Sequence, residues 1–180
     1  MKQIIFFLLS IFLIFFNNSC SDSCKDVNCN NGICVDGNCS CDFGWTGDIC
    51  DTKISSKFLG DWDGNLDCAN DTTVTFHISD IPNELQKIGM HSVGLNFNIQ
   101  GFTFNFDNYK FTGNIDSTFT SFDIDTLPIS VTIPNLGQKV DANITGNGIF
   151  LQDSSLNINL DIIATSPFPY TIKCSGNFKK

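Results

Sequence analysis

The chain is predicted to be mainly β, with a small disulfide-rich module ahead of an antiparallel β-barrel or β-sandwich. Two observations carry this. Six of nine cysteines run Cys24-x4-Cys29-x4-Cys34-x4-Cys39-x-Cys41-x8-Cys50. From about residue 58 onward, apolar residues recur every second position, with Asn, Asp, Gly and Pro between the runs. Period-two alternation broken by turn residues is the mark of half-buried strands.

Residues 1–19 read as a secretory signal. Lys2 supplies a positive start, and Ile4 to Phe16 is apolar apart from Ser10. As a helix that run reaches only about 20 Å, short of a hydrocarbon core of roughly 30 Å. A signal h-region fits better than a membrane span. No later run approaches membrane length, so the remainder is expected to be soluble.

Cys20 follows Asn17-Asn18-Ser19. Small Ser19 before a cysteine resembles a bacterial lipobox, with Asn17 where that motif usually has Leu. The resemblance implies that Cys20 becomes the acylated N-terminus, with residues 20–23 as a lipidated tether. The alternatives are an unpaired thiol or a partner in an intermolecular disulfide. Ser21-Asp22 is similar to an acidic sorting signal for the cell surface.

Charge narrows the partners. The chain carries ten Lys, no Arg and nineteen acids, for a formal charge of −9. Phosphate contacts need clustered cations, so no nucleic acid is expected as a partner. Docking on anionic headgroups through the protein surface is disfavoured too. The membrane is expected to be held through the N-terminal lipid alone.

Residues 24–50 resemble an EGF-like domain. The matches are the six-cysteine spacing, Asn31-Gly32 before Cys34, the Cys39-Ser40-Cys41 step, and the ending Cys41-Asp-Phe-Gly44-Trp45-Thr-Gly47-Asp-Ile-Cys50. Six cysteines permit fifteen pairings. The resemblance implies Cys24–Cys34, Cys29–Cys39 and Cys41–Cys50. So short a module cannot bury a sufficient core, and disulfides must supply its stability. Gly32, Gly37, Gly44 and Gly47 suit tight turns. Zinc is disfavoured because the spacing lacks paired C-x2-C knuckles. Calcium is disfavoured because Ser21-Asp22-Ser23 lacks the Glu or Gln that calcium-binding EGF modules carry there.

Asp51 to Lys57 reads as a polar linker, and residues 58–180 as the antiparallel β domain. Its alternating sets are Val74, Phe76 and Ile78; Leu95, Phe97 and Ile99; Phe102, Phe104 and Phe106; Ile129, Val131 and Ile133; Val140, Ala142 and Ile144; Leu156, Ile158, Leu160 and Ile162; and Tyr170, Ile172 and Cys174. About eight to ten short strands fit a barrel or sandwich. A helical turn is expected from Pro82 to Ile88, ended by Gly89. Cys68 is placed on the first strand and Cys174 on the last, so a bridge between them makes those strands neighbours.

Gly60-Asp61-Trp62 resembles the G-x-W motif of lipocalin-like domains, where the Trp plugs one barrel end. The other reading of Trp62 is a core aromatic. Those domains place an Arg opposite the Trp on the last strand, and Lys173 is the nearest candidate here. The whole chain resembles Gram-negative lipoproteins that join a lipidated cysteine, one EGF-like module and a Cys-bracketed β domain.

No catalytic set emerges. His77 alternates against Phe76 and Ile78 and points away from the core, and His91 is placed in a loop. Glu84, the only Glu, is placed in a helical or loop segment. Asp61, Asp63, Asn65 and Asp67 read as the wet face of a strand whose other face holds Trp62, Gly64, Leu66 and Cys68. An EF-hand would need Gly at Leu66 and Glu at Thr72. Asn70-Asp-Thr72 and Asn143-Ile-Thr145 are N-glycosylation sequons. Asp71-Thr72-Thr73, Asp116-Ser117-Thr118 and Asp125-Thr126-Leu127 resemble a bacterial O-glycosylation motif.

The expected function is a non-catalytic outer-membrane or cell-surface lipoprotein. In it an EGF-like stalk carries a β domain that binds or scaffolds another envelope or extracellular protein. No cofactor and no metal ligand are expected. The alternatives are a lipocalin-like carrier of a small apolar ligand and a secreted eukaryotic EGF-like protein.

Overall fold

The computed structural model describes residues 23–68, 73–99, 102–106, 109–132, 137–166 and 169–180. The signal segment, Cys20, Ile133, the Asn70 sequon and Asp71-Thr72-Thr73 are not all within them; of these expectations, only Thr73 falls on a described residue. The side chains of Ile99 and Phe102 are likewise outside the description. The chain divides into two compact units, Met1–Asp51 and Thr52–Lys180.

The first unit holds β1 (Gly32–Val35), β2 (Asn38–Cys41) and the two-residue strand β3 (Trp45–Thr46). β1 and β2 form a hairpin in which Val35 pairs Asn38. Asp36 and Gly37 make its turn, both with positive φ. An Asp-Gly pair suits this turn, because its twist matches that of the flanking strands. Three disulfides bind the unit: Cys24–Cys34, Cys29–Cys39 and Cys41–Cys50. Gly44 and Gly47 also take positive φ. Gly32 does not make a turn as expected. It lies in β1, where a Cβ would stand 2.4 Å from the Ser40 carbonyl oxygen and 3.0 Å from Cys50 Sγ.

The second unit begins with β4 (Thr52–Lys53) and a 3-10 turn over Ile54–Lys57. Of the segment Asp51 to Lys57 read as a linker, Thr52 to Lys57 belong to this unit and Asp51 to the first. Lys53 pairs with Asp80, and Ser55 is fully buried.

Eight strands then close an antiparallel barrel: β5 (Gly60–Gly64), β6 (Val74–Ile81), β7 (Glu84–Val93), β10 (Lys110–Ile115), β11 (Ser121–Thr132), β12 (Lys139–Phe150), β13 (Leu156–Ser166) and β14 (Tyr170–Lys179). The order is up-and-down, and β14 pairs β5 to close the ring. Between β7 and β10 the chain makes a separate hairpin of β8 (Asn96–Ile99) and β9 (Phe102–Asn105). The barrel alternative is thus the realised one. Closure removes the exposed sheet edges that an open sheet would have.

The interior comes from one parity per strand. Val74, Phe76 and Ile78 on β6, Ile88, Met90 and Ser92 on β7, and Leu156, Ile158, Leu160 and Ile162 on β13 all point inward and are buried. On β11 the inward set changes phase. Phe122 and Ile124 are even, Ile129 is odd, and all three are buried. A bulge between Ile124 and Leu127 inserts the extra residue that makes this possible. Phe122 lies over Gly148, where a Cβ would come within 2.2 Å of the ring. A side chain at 148 would force that ring out of the core.

Two expectations are corrected here. Pro82 to Gly89 is not a helical turn. Pro82 and Asn83 form the β6–β7 turn, with Asn83 at φ 65°, and Glu84 opens β7. Alternation of Ile88, Met90 and Ser92 against the barrel outweighs the local helix signals. Cys68 is not on the first strand either. β5 stops at Gly64, and Cys68 lies in the turn beyond, bonded to Cys174 on β14. The wet face of that strand accordingly ends at Asp63, with Asn65 and Asp67 in the loop.

Candidate functional site

One end of the barrel is sealed by aromatic rings. Trp62 is fully buried, and its Nε1 donates to the Phe58 carbonyl oxygen at 2.7 Å. Phe58 meets Phe122 edge-on at 5.4 Å, and Phe150 meets Trp62 edge-on at 6.2 Å. Such edge-to-face contacts add to the area term. Gly60 holds φ 117°, a conformation that a side chain would strain.

The cation over Trp62 is Lys180, with Nζ 4.8 Å from the ring centroid. Lys173, the expected candidate, is exposed and pairs with Asp161 at 3.3 Å. Parity explains the difference. Cys174 and Phe178 point inward, so Lys173 must point out, whereas Lys180 continues the inward series. That signal was present in the sequence.

Toward the opposite end lies a wholly apolar cavity of about 30 Å³, with Phe104, Phe106, Ile129, Ala142, Ile162 and Ile172 in its walls. β9 therefore packs over the barrel mouth. Ser92, fully buried on β7, donates to the carbonyl oxygen of Phe106, the residue after β9, at 2.9 Å. The space accepts a water-sized guest, far below the several hundred Å³ of ordinary ligand pockets. Phe104 and Phe106 are buried here, on a hairpin set apart from the barrel sheet.

The outside of β11 to β14 is a row of short polar side chains. Asp123, Asn147, Asn159 and Ser175 are successive register partners across the four strands. Asn159 donates to Asn147 and to Asn157 at 2.9 Å, and Asn157 donates to Asn177 at 2.9 Å. Two open depressions lie along this row, of about 310 and 280 Å³.

The remaining candidates fall on the other side of the ring. His77 is on β6, and His91 is on β7 rather than in a loop. The two are register partners, and Asp61 on β5 pairs His77 from the other side. Among the described residues, no three His, Cys, Asp or Glu side chains form a ready metal cage. Glu84 is exposed at the start of β7, not in a helical or loop segment.

No protein-family model, no curated protein and no solved structure matches the chain.

Proposed function

We propose that the chain is a non-catalytic cell-envelope lipoprotein, anchored at the outer membrane or cell surface by acyl chains on Cys20. Residues 24–50 serve as an EGF-like stalk. The β domain binds or scaffolds another envelope or extracellular protein. The observation that carries this is the filled interior. Large Phe, Ile and Leu side chains occupy the barrel, and the apolar cavity beneath Phe104 and Phe106 measures only about 30 Å³. A barrel packed this way meets other molecules through its outer surface. Four disulfides suit an oxidising compartment.

A second reading is kept for the apolar cavity beneath Phe104 and Phe106. If β9 shifts outward, the same walls suit a small apolar guest, as in a lipocalin-like carrier.

The anchor is tested by fractionating cells that express the chain. The parent is expected in the membrane fraction and Cys20→Ala in the soluble one. Membrane retention of that variant sinks the lipoprotein assignment. Native mass spectrometry separates the two readings of the β domain: a bare mass supports the scaffold, and a stoichiometric lipid or pigment supports the carrier.

A further inference from the structure

Only two histidines occur in 180 residues, and they stand side by side. His77 and His91 are opposite each other on β6 and β7. Their rings stack with centroids 4.5 Å apart and planes 25° from parallel. The Asp61 carboxylate hydrogen-bonds His77 Nδ1. All three lie on the outer face, the His77 side chain one-third exposed, so the group is open to solutes.

The chemistry of this trio is specific. An ionised carboxylate can only accept a hydrogen bond, so Asp61 keeps the proton of neutral His77 on Nδ1. The lone pair of neutral His77 is then on Nε2. A carboxylate behind an imidazole is the arrangement that orients histidine ligands in metal sites and raises their basicity. His91 offers a second imidazole from the adjoining strand. Opposite positions on antiparallel strands hold their Cβ atoms about 4.5–5.5 Å apart. From there both rings can reach one ion at metal–nitrogen distances of about 2.0–2.1 Å.

We propose that His77 and His91 together bind one divalent transition-metal ion of the class that prefers imidazole: copper(II), nickel(II) or zinc(II). Asp61 is the orienting group behind His77. As they stand, the rings are stacked 25° from parallel, so binding turns the stack into a chelate by side-chain rotation. Both rings are partly exposed on the outer face. Lys110 on β10 is the other register partner of His91. Its flexible stem lets the ammonium move away from the ion. Copper is expected to bind tightest of the three. With two protein nitrogens, the ion keeps open positions for water or for a donor from a bound partner.

Two histidines in the whole chain make the test clean. The intact, untagged protein is titrated with zinc while the imidazole proton resonances are followed, and with copper by calorimetry. Both rings are expected to shift together and to saturate at one equivalent. His77→Ala and His91→Ala are each expected to weaken copper binding at least about tenfold, and Asp61→Asn about tenfold. A shift confined to one ring, saturation only at millimolar metal, or unchanged affinity in either alanine variant overturns the site. Unchanged affinity in Asp61→Asn overturns the part given to the carboxylate. Circular dichroism of each variant reports that the barrel is intact.

Discussion

In the first unit, among the described residues, Cys50 is the sole buried apolar side chain, and three disulfides hold about thirty residues. In the second unit, twenty-five buried apolar residues among those described form one continuous cluster, and a single disulfide spans it. Ile33, Val35, Phe43 and Ile49 are largely exposed in the first unit, while side chains of the same kind fill the barrel. The size of each unit explains the contrast. A chain of thirty residues encloses too little volume to shield its apolar groups, so covalent links replace packing. A chain four times longer can wrap a core and needs one link at most.

The sharpest way to break that contrast is to reduce the protein. Each short loop of the first unit loses on the order of 3 kcal/mol, and the long loop of the barrel about 4.7 kcal/mol. The first unit has no core to fall back on. Its hydrogen-exchange protection is expected to vanish in reductant, while the barrel keeps its β circular dichroism with a lower melting temperature. Simultaneous loss of both overturns the distinction.

The converse cut is Phe104→Asp. Phe104 is 7 % exposed, with Phe106 and Ile129 in the same cavity wall. Burying an unpaired carboxylate there costs several kcal/mol. A drop in the barrel's melting temperature of about 10 °C or more is expected, with the three disulfides of the first unit unaltered by mass mapping. A parental melting temperature means that β9 swings clear of the mouth at little cost.

The smallest effect sharpens the comparison at the surface. Burial raises the Asp116 carboxyl, but hydrogen bonds from the Thr118 hydroxyl and the Ser121, Thr118 and Thr120 backbone outweigh it and hold the group at about 2, below its usual 3.8. Because the folded value is depressed, this stabilisation is present above pH 4 and is lost as pH falls toward 2. After screening by solvent it amounts to on the order of 1 kcal/mol. Asp116→Ala is expected to flatten the barrel's stability between pH 4 and pH 2, measured by thermal melts. Asp153, lowered by its hydrogen bonds from Ser155, keeps part of the slope. An unchanged profile removes Asp116 from the account.

Strands whose inward residues keep one parity were legible from alternation alone, as on β6 and β13. β10 was missed because its inward set is Phe111, Gly113 and Ile115, and a glycine carries no apolar signal. The first half of β11 was missed because the bulge after Ile124 puts Phe122 and Ile129 on opposite parities. β7 was hidden by Pro82 and Gly89, residues that end helices as readily as they punctuate hairpins. The histidine pair depends on register between β6 and β7, and no spacing within the chain encodes that register. Trp62 was legible as an end plug or core residue, whereas its partners Phe58 and Phe150 come from elements distant in sequence.

The barrel closes at its shortest seam. β14 and β5 share two register pairs, Phe178 with Gly64 and Lys179 with Asp63, extended by the Asp67 amide donating to Ser175 at 3.0 Å. The Cys68–Cys174 bridge lies beside that seam. Tension applied between residues 52 and 180 is therefore relayed from one cysteine to the other without entering the strands between them. Only the segments outside the bridge can pay out, roughly 75 Å at full extension. The loop inside it, closed by cysteines 106 positions apart, bears no load, so the greater part of the barrel is shielded from a pull on its own ends.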